Sequence, residues 1–425
     1  MHHDPSAVIL VDGKLVAGVE QERFSRNKHA TGEYPVDAIQ YCLKQAGLQA
    51  SDIDVVAHST STEAYDRNKW KYFKRAIWKR PSQAIKAITK AGHRKKTFKE
   101  APRKALRAAG IDPDQVEIHY IEHHVAHAAS AVHFSGYEKA AFITMDGSGE
   151  FTSTLLGYYE NGKIEIIKEF CVPDSLGFFY ATMTDYLGFQ HDDGEYKVMG
   201  MAPFGDASKI NLDDFISYQN KSFRINDDYI YATRRTRHLP EKWYSKKMIE
   251  KLGPPREGDG LGEPYIHIAA ATQKKLEEIT MKLIEDYLEE ALKKSDGKLC
   301  FAGGCALNVV LNQKIIQHPW VKELWVQPAS GDGGLSLGAA SKVAVEKGDR
   351  IEEMKHCYYG PAYTNEEAHL AFSKSKHLIE RPASITDAVS DLLAAGKVVA
   401  WCQGRMEWGP RALGNRSILG NPKVK

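Results

Sequence analysis

The sequence contains few cysteines and lacks a long apolar run. Its six cysteines include no Cys-x-x-Cys pair, so neither a disulfide framework nor a thiolate zinc site is predicted. No run of about 18 or more apolar residues occurs, which excludes a transmembrane helix. The first residues also lack the basic and then apolar pattern of a signal peptide. We therefore expect a protein with no membrane span and a cytoplasmic location.

A strong overall charge is also missing, because the formal net charge is only +2. The hydrophobic share of 43% and the charged share of 26% are those of a globular protein, which excludes a disordered, collagenous or coiled-coil chain. A chain of 425 residues is too long for a single hydrophobic core. Two or more lobes are therefore predicted.

The low net charge conceals one strongly basic segment. Between Arg67 and Arg107, sixteen Lys and Arg residues stand against one acid, which gives +15 and leaves −13 for the rest of the chain. Apolar residues recur among them at three- and four-residue spacing, which predicts a helical insertion at 66–110 with breaks at Pro81 and Gly92. We favour a solvated insertion packed on the body. A nucleic-acid or membrane-surface patch and a guide for an anionic substrate remain open.

The rest of the chain alternates predicted strands and helices. Strands are predicted at 7–12, 14–20, 140–145, 152–160, 164–170, 298–302, 323–327 and 397–402, and helices at about 35–47, 266–294, 306–317, 335–347 and 385–395. Acidic loops at Asp4 and Asp146 each precede a hairpin, which suggests that one structural unit, an acidic loop followed by a hairpin, occurs twice in the chain. Successive strand–glycine–helix units favour an α/β fold with its ligands at the carboxyl edge of a sheet.

Two histidines on a predicted helix are candidate metal ligands. His123 and His127 are four residues apart, so their rings project from one helix face and can bind one ion. Structural histidines are common, so such a pair needs further ligands, and the glycine-rich loops offer Asp146 and Asp332. His124 points elsewhere and is the weaker candidate. Two imidazoles with two carboxylates suit Fe(II), Mn(II) or Zn(II).

Glycines and arginines mark two candidate anion sites. Gly303 and Gly304 stand where a predicted strand turns into a helix, whose N-terminal N–H groups favour a phosphate or nucleotide. A tight turn without a ligand is an equally open interpretation. The terminal run 404–417 places three arginines among glycines and so suits a phosphate or a carboxylate. A surface salt-bridge loop is the alternative.

Eight motifs together carry a resemblance to a known family. They are His-His-Asp-Pro-Ser-Ala (2–7), Val-Glu-Gln-Glu-Arg-Phe-Ser-Arg-Asn-Lys-His (19–29), His-His-Val-Ala-His (123–127), Met-Asp-Gly-Ser-Gly-Glu (145–150), Gly-Glu-Tyr-Lys-Val-Met-Gly-Met-Ala-Pro-Phe-Gly (194–205), Ala-Gly-Gly-Cys-Ala-Leu-Asn (302–308), Ser-Gly-Asp-Gly-Gly (330–334) and Gly-Arg-Met-Glu-Trp-Gly-Pro-Arg-Ala-Leu-Gly-Asn-Arg-Ser (404–417). In this order they resemble the NodU/CmcH/TobZ family of O-carbamoyltransferases over nearly the whole chain.

The resemblance implies an actin-like lobe (ASKHA, duplicated RNase H-like) at 1–360, related to the tRNA threonylcarbamoyl transferase TsaD. The beginning of a YrdC-like α/β lobe would follow at 377–425. In such enzymes the YrdC-like lobe joins carbamoyl phosphate to ATP as carbamoyl-adenylate. The actin-like lobe then transfers the carbamoyl group to an acceptor hydroxyl with the help of a metal. Family members extend further at both ends, so we expect either a fragment or an abbreviated chain, in both cases with an incomplete second lobe.

The resemblance also assigns roles to individual residues. The implied sets are His123, His127, Asp146 and Asp332 for the metal; Gly303, Gly304, Asn308 and Gly331 for the nucleotide; Arg411, Asn415, Arg416 and Ser417 for carbamoyl phosphate or the adenylate; and His3, Asp4 and Lys28 for catalysis. The implied metal is Fe(II), with Mn or Zn as alternatives, and Mg accompanies ATP. We expect a small-molecule hydroxyl acceptor and no nucleic-acid partner, with a homodimer as a possible assembly.

The chemistry agrees with this division of labour. The carbamoyl group is a poor electrophile, adenylation supplies a better leaving group, and a metal can polarise the carbonyl or lower the pKa of the acceptor hydroxyl. Asp4 is a candidate general base for the hydroxyl proton.

Three alternatives remain beside this interpretation. One is an actin-like ATPase or kinase, which the paired histidines disfavour because carboxylates and phosphates hold Mg²⁺ in such enzymes. The second is a TsaD-like activity on tRNA, which would give the basic insertion a purpose. The third is a non-catalytic fragment that binds a metal and a nucleotide.

Overall fold

The computed structural model describes residues 3–231, 242–373 and 379–423. Its strands are β1 (Ser6–Val11), β2 (Lys14–Glu20), β3 (Val55–His58), β4 (Glu117–Tyr120), β5 (Lys139–Gly149), β6 (Thr152–Glu160), β7 (Lys163–Cys171), β8 (Ile216–Gln219), β9 (Ser222–Ile225), β10 (Lys298–Ala302), β11 (Glu323–Val326), β12 (Val399–Cys402) and β13 (Arg416–Leu419). Its helices are α1 (Glu22–Ser25), α2 (Val36–Ala46), α3 (Thr62–Ala76), α4 (Pro81–Thr89), α5 (Ala91–Ala108), α6 (His123–Val132), α7 (Leu176–Tyr186), α8 (Glu195–Met201), α9 (Lys246–Leu252), α10 (Tyr265–Tyr287), α11 (Glu289–Lys294), α12 (Val309–Ile316), α13 (Leu335–Glu346), α14 (Asn365–Ser373) and α15 (Ile385–Ala394). The predicted α/β class is confirmed, and no helix in the described ranges is long and apolar enough to cross a membrane.

A five-stranded mixed sheet lies beside the largest hydrophobic core. Its strand order is β11-β10-β5-β6-β7, in which β5, β6 and β7 form an antiparallel meander and β10 and β11 run parallel to β5. Ile143 of β5 shares the core with Phe179 of α7 and Leu283 of α10. Because β5 and β10 are parallel neighbours, the residues at their carboxyl ends meet at one sheet edge.

The remaining described strands pair two by two. β1 and β2 form the predicted hairpin, β3 and β4 are parallel, and β8–β9 and β12–β13 are antiparallel. Helix α13 contacts β1, β3 and α6, and so joins these parts. Its approach to α6 requires Gly338, because a Cβ atom there would lie 1.7 Å from the Ala126 carbonyl oxygen.

The basic insertion is helical, as predicted, and comprises α3, α4 and α5. Pro81 opens α4, a position where its missing N–H costs no hydrogen bond. The second break was placed wrongly at Gly92, which lies inside the first turn of α5, and the irregular residue is Lys90. The helical hydrogen bonds Lys90 N–H to Lys86 O (3.0 Å) and Arg94 N–H to Lys90 O (3.1 Å) continue across it.

One side of α3 is fixed to the body by ion pairs. The cations recur every fourth residue and therefore project from one face of the helix. The pairs are Arg67–Glu122 (2.7 Å), Lys71–Glu169 (2.5 Å) and Arg75–Asp174 (3.2 Å). Asn68 on the same side donates to Thr152 of β6 at 3.0 Å. The insertion thus packs on the β6–β7 side of the sheet.

Two predicted helices differ in extent from the structure. The predicted helix 266–294 is interrupted at Leu288, which separates α10 from α11. The predicted helix 306–317 begins only at Val309, because Asn308 adopts an extended conformation and caps α12 by accepting a hydrogen bond from Leu311 N–H at 2.9 Å. A short 3-10 turn at Gly304–Leu307 precedes that cap.

Candidate functional site

A cleft of about 1400 Å³ collects most of the predicted functional residues. Those that line it are His3, Asp4, Lys28, His123, Asp146, Gly304, Asn308, Gly331, Asp332 and Arg411. His127 lies directly behind His123 and is fully buried, whereas Gly303 belongs to the turn beneath Gly304. The other three predicted residues, Asn415, Arg416 and Ser417, are not part of the cleft wall.

The four predicted metal ligands converge on one point. Asp146 Oδ2 lies 3.4 Å from His123 Nε2 and 3.1 Å from His127 Nε2. Asp332 Oδ1 lies 3.6 and 3.7 Å from the same two nitrogens. All four donor atoms are within 4.8 Å of one another. Ligands about 2.1 Å from one ion are separated by about 3.0–3.4 Å, so this set fits a first-row divalent metal with modest adjustment.

Local structure explains why these side chains meet. Helix α6 begins at His123, and its i, i+4 spacing turns both rings toward the end of β5. The pairing of β5 with β6 shifts register between Met145 and Gly149, so Asp146 leaves the regular ladder. Gly149 lies against the His123 ring, where a Cβ atom would be 2.1 Å from Cγ.

The electrostatics of the cluster favour a cation. Burial opposes charge on His123, but Asp332 and Asp146 outweigh that effect and raise the pKa of His123 to about 9. Burial likewise opposes ionisation of Asp146, but hydrogen bonds from His123 and His127 hold its pKa well below the usual range. A metal would compete with protons for the imidazole nitrogens, so its binding would release protons.

His124 has a different environment, in agreement with the sequence interpretation. Its Nδ1 lies 2.8 Å from Thr144 Oγ1 on β5, away from the cluster. Burial, together with the neighbouring His123 and His127, holds the pKa of His124 well below its ordinary value. The side chain is therefore a neutral core group at physiological pH.

A second group, formed by His3, Asp4 and His29, lies beside the four predicted metal ligands. Asp4 accepts hydrogen bonds from His3 Nδ1 at 2.7 Å and from His29 Nδ1 at 2.8 Å. His3 Nε2 is 4.0 Å from Asp332 Oδ2, which connects the two groups. The hydrogen bond to Asp4 is the main cause that raises the pKa of His3 to about 10. Lys28 pairs with Asp193 at 3.4 Å on the cleft wall.

The glycine loops lie on the β10–β11 side of Asp146. Gly303 adopts a positive φ of +92°, and a Cβ atom there would lie 2.2 Å from the Met145 carbonyl oxygen. Gly304 lies close to the Asp146 side chain, because a Cβ atom added at Gly304 would be 2.9 Å from Asp146 Oδ1. Asn308 donates to Gln273 Oε1 at 2.8 Å, so its amide is held in place.

The terminal arginine-rich run is bound mainly to the body of the protein. Trp408 is only 1% exposed and packs in a core cluster with Leu15 and Phe134. Arg411 reaches the cleft, where its guanidinium donates to the Leu307 carbonyl oxygen at 2.5 Å. The Arg416 guanidinium donates instead to backbone carbonyl groups of its own segment and of Pro361.

Two other residues of this run have local partners. The Asn415 amide donates to the Arg405 carbonyl oxygen at 2.7 Å, and Ser417 Oγ accepts from Gly414 N–H at 3.1 Å. Neither side chain faces the cleft. A role for Asn415, Arg416 or Ser417 toward carbamoyl phosphate or the adenylate stays a prediction.

Sequence reasoning did not single out two carboxylates on the cleft wall, the buried Glu150 and the partly buried Glu195. Burial is the main cause that raises the pKa of both Glu150 and Glu195, each to about 7. Both ionise near neutral pH, the range in which acid–base groups act best. Both lie in motifs that carry the family resemblance, at 145–150 and 194–205. Membership of these motifs is the sequence signal that could have identified them.

Two family models of known proteins match the chain. A family model described as "Carbamoyltransferase N-terminus" matches residues 1–341, and one described as "Carbamoyltransferase C-terminus" matches residues 390–425. The match to the crystal structure of HypF from T. kodakarensis extends over 81% of this chain and 48% of the HypF chain, with 13% identity and a TM-score of 0.36. Similarity at that level carries no functional argument.

Curated relatives extend the comparison. The chain is 34% identical over 442 residues to the uncharacterised protein sll1178 of Synechocystis, covering 99% of this chain and 70% of the relative. It is 33% identical to the nodulation protein NolNO of Sinorhizobium fredii, covering 99% of this chain and 58% of the relative. NolO of Bradyrhizobium diazoefficiens is 35% identical over 71% of this chain and 54% of its own length. The chain therefore spans little more than half of these two nodulation proteins. It belongs to the carbamoyltransferase family, whose members are enzymes that transfer a carbamoyl group.

Proposed function

We propose that the chain performs the transfer step of an O-carbamoyltransferase. The carbamoyl group would come from carbamoyl-adenylate, made from carbamoyl phosphate and ATP, and pass to a hydroxyl of a small-molecule or sugar acceptor. The convergence of His123, His127, Asp146 and Asp332 in a cleft that also contains Gly304 and the Asp4 group carries this proposal. The nodulation proteins among the relatives agree with a biosynthetic role.

The proposed architecture is an actin-like lobe at 1–360, with the insertion at 66–110, and the start of a YrdC-like lobe at 377–425. Two observations support the first lobe. Its large sheet is a meander extended by two parallel strands, and the loop residues Asp4 and Asp146 both reach the cleft. The carboxyl-terminal family match over 390–425 supports a separate second unit.

His123, His127, Asp146 and Asp332 would hold the divalent metal, for which the two imidazoles and two carboxylates suit Fe(II), with Mn or Zn as alternatives. When bound, such an ion supplies Lewis acidity, which polarises a carbonyl or lowers the pKa of a hydroxyl. The acceptor oxygen would attack the carbamoyl carbon. The bond from that carbon to the adenylate phosphate oxygen would break, with AMP as leaving group, and the hydroxyl proton would leave to a base.

The group around Asp4 is the proposed proton-handling part of the site. Both Asp4 oxygens accept hydrogen bonds from imidazoles, so Asp4 would position His3, whose Nε2 faces Asp332. Lys28 lies on the same wall, where its exposed side chain pairs with Asp193 at 3.4 Å. It is the third proposed catalytic residue of this group.

The loops after β10 and β11 form the proposed nucleotide side. Gly303, Gly304, Asn308 and Gly331 surround the turn at the end of β10, where exposed N–H groups favour phosphate oxygens. Arg411 adds a guanidinium at the same edge, suited to a phosphate of carbamoyl-adenylate. Mg would accompany ATP there. The cytoplasmic location, the absence of a nucleic-acid partner and a homodimer remain predictions.

Nucleotide products distinguish the proposed reaction from its alternatives. The full chain is incubated with ATP, carbamoyl phosphate, Mg²⁺ and Fe(II), and nucleotides are separated by chromatography. AMP that depends on carbamoyl phosphate would show adenylation by this chain. Because adenylation is assigned to the YrdC-like lobe, carbamoyl-adenylate is also supplied directly, and AMP release from it faster than without protein is expected. Formation of ADP would instead favour the ATPase or kinase alternative, and no protein-dependent AMP release from carbamoyl-adenylate would contradict the proposed transfer step.

The metal site is tested separately by metal content. The H123A/H127A variant and the matched variant H93A, which alters an exposed histidine of α5, are loaded with Fe(II) or Zn(II), desalted and analysed by atomic spectroscopy. We expect about one ion per chain in the parent and in H93A, and a loss of at least about tenfold in affinity in H123A/H127A. Equal metal content in all three proteins would contradict the assignment.

A further inference from the structure

The basic insertion carries a second row of cations, distinct from the row that pairs with the body. Lys86, Lys90 and Arg94 are spaced four residues apart, and helical hydrogen bonds continue through all three positions. They project from one face, over a length of about 12 Å at 1.5 Å per residue. All three are exposed, and all three line the large cleft.

The charges of this row are not neutralised by the protein. Within the ranges that the structure describes, Lys86, Lys90 and Arg94 make no ion pair, in contrast to Arg67, Lys71 and Arg75 of α3. The other residues that the insertion contributes to the cleft are Tyr65, Tyr72, Gln83, Ala87 and Phe98, so it adds no carboxylate. Aligned, unpaired cations in a concave site attract and orient an anion.

The remaining charge in the cleft belongs to other elements. Its acids are the metal-ligand carboxylates, Asp4, Glu20, Glu22 and Glu150, and a loop and helix start at 192–195. Asp193 of that loop is paired with Lys28, and Glu22 with Arg23 at 3.0 Å. The cleft thus has a cationic wall from the insertion, an acidic region around the histidines, and Arg411 at the glycine loops.

The row lies on the opposite side of Asp146 from the nucleotide loops. In the sheet order β11-β10-β5-β6-β7, the glycine loops follow β10 and β11, whereas the insertion is fixed to β6 and β7. Asp146, at the end of β5, stands between them. Phosphates of a nucleotide bound at the glycine loops would therefore approach the metal cluster from the side away from the row.

An aromatic floor connects the row with the metal cluster. The Phe151 ring stacks on Tyr72 at 5.0 Å with an interplanar angle of 20°, and contacts Tyr65 at 5.0 Å. Phe151 directly follows Glu150, whose carboxylate accepts a hydrogen bond from the backbone of His123 at 3.1 Å. A molecule lying along this floor would touch both the row and the neighbourhood of the metal.

We propose that Lys86, Lys90 and Arg94 form a subsite for a phosphate or diphosphate group of the acceptor, which directs its hydroxyl toward the metal cluster. The proposal rests on the proposed carbamoyl transfer, because it identifies the bound ligand as the acceptor of that reaction. It narrows the acceptor class to phosphorylated hydroxyl compounds. A phosphate or diphosphate carries enough negative charge to pair with several cations at once, whereas a single carboxylate does not.

Binding of inorganic pyrophosphate tests this subsite without requiring turnover. The full chain is first saturated with Mg²⁺ and a non-hydrolysable ATP analogue, so that the nucleotide side is occupied, and pyrophosphate is then titrated by calorimetry. K86Q/K90Q/R94Q is compared with K74Q/K96Q/K104Q, which removes the same charge from exposed positions of the insertion outside the cleft. We expect affinity to fall at least about tenfold in the first variant and less than about twofold in the second.

Further variants and ligands separate the possible causes. The charge-preserving variant K86R/K90R/R94K should retain pyrophosphate binding, which would exclude a loss through misfolding. The proposal would be overturned if both triple-Gln variants bound pyrophosphate equally well, or if the parent did not bind it. It would also be overturned if the first variant lost affinity for the ATP analogue as much as for pyrophosphate. Competition of pyrophosphate by single-stranded RNA would also overturn it, in favour of a nucleic-acid phosphate. Failure of the AMP assay leaves this binding measurement unaffected.

Discussion

The carboxylate of Glu150 accepts a hydrogen bond from the backbone N–H of His123 at 3.1 Å. Its other oxygen accepts one from the backbone N–H of Ser61 at 2.9 Å. Since His123 begins α6 and Ser61 caps α3, one buried side chain fixes the first residue of α6 and the start of the basic insertion. The two walls of the cleft are therefore coupled through Glu150.

Replacing this carboxylate by an amide should weaken both connections. In E150Q one oxygen remains as acceptor, while the amide N–H₂ faces a backbone N–H that then has no partner. We expect a loss of about 1–3 kcal/mol in the free energy of unfolding, measured by urea denaturation. E165Q, at an exposed carboxylate of β7, is the matched control and should change stability by less than about 0.5 kcal/mol. Equal stability of E150Q and the parent would contradict this coupling.

A buried ion pair holds the turn between α3 and α4 to the body. Arg80 Nη2 donates to Asp227 Oδ1 at 2.6 Å and to the Ile230 carbonyl oxygen at 3.1 Å, and the two charged side chains are 2% and 1% exposed. R80A removes the buried guanidinium that pairs with the Asp227 carboxylate, so the variant should lose about 3–5 kcal/mol in the free energy of unfolding. Thermal and urea unfolding would measure this loss of stability, with K79A, at an exposed neighbouring position, as the control. A loss below about 1 kcal/mol would show that the pair does not secure the insertion.

The sequence was sufficient for features that depend on local spacing. His123 and His127 share a face because they are four residues apart, and Asp146 meets them because it lies near the carboxyl end of β5, beside that helix. The α/β class, the hairpins and the helical insertion follow from the same periodicities. These patterns do not depend on how distant elements pack.

Features that depend on packing could not be predicted. The insertion has two rows of cations with identical four-residue spacing, at Arg67–Arg75 and Lys86–Arg94, and nothing in the sequence tells which row meets the acids of the body. The link from Glu150 to Ser61 joins residues 89 positions apart. Arg411 and Arg416 look equivalent in the terminal run, yet only Arg411 reaches the cleft, because burial of Trp408 sets the direction of the segment.

Glu195 gives the protein a definite pH dependence of stability. Burial raises its pKa from 4.5 to about 7. Between these values the folded state binds more protons than the unfolded state, so the stability that Glu195 contributes is complete at low pH and is lost as the pH rises through this window. Relative to E195Q, the parent should lose up to about 3 kcal/mol between about pH 4.5 and 7.

Urea denaturation of the parent and E195Q at several pH values in this range would measure the difference. E165Q is again the control, because it removes an exposed carboxylate far from the cleft, and its curve should run parallel to that of the parent. A constant difference between E195Q and the parent across the range would refute the assignment of a raised pKa to Glu195.

The glycine loops allow folding and nucleotide binding to be separated. In G303A the added methyl group would meet the Met145 carbonyl oxygen, and the alanine would have to adopt a positive φ. The variant should therefore lose about 2–4 kcal/mol in the free energy of unfolding. Gly331 has an ordinary φ of −77°, and the nearest atom to an added Cβ is Leu307 Cδ1 at 3.9 Å. G331A should therefore fold with a change of less than about 0.5 kcal/mol.

Because Gly331 lines the cleft, its added methyl group would stand where the proposed nucleotide approaches the backbone. We expect G331A to bind a non-hydrolysable ATP analogue at least about fivefold more weakly than the parent, since close approach to the loop N–H groups is lost. G92A, at a glycine of α5 with open space around it, is the control and should bind the analogue like the parent. Parent-like binding by a stably folded G331A would mean that the nucleotide does not contact this loop, and the nucleotide side would then rest on the turn at Gly304 alone.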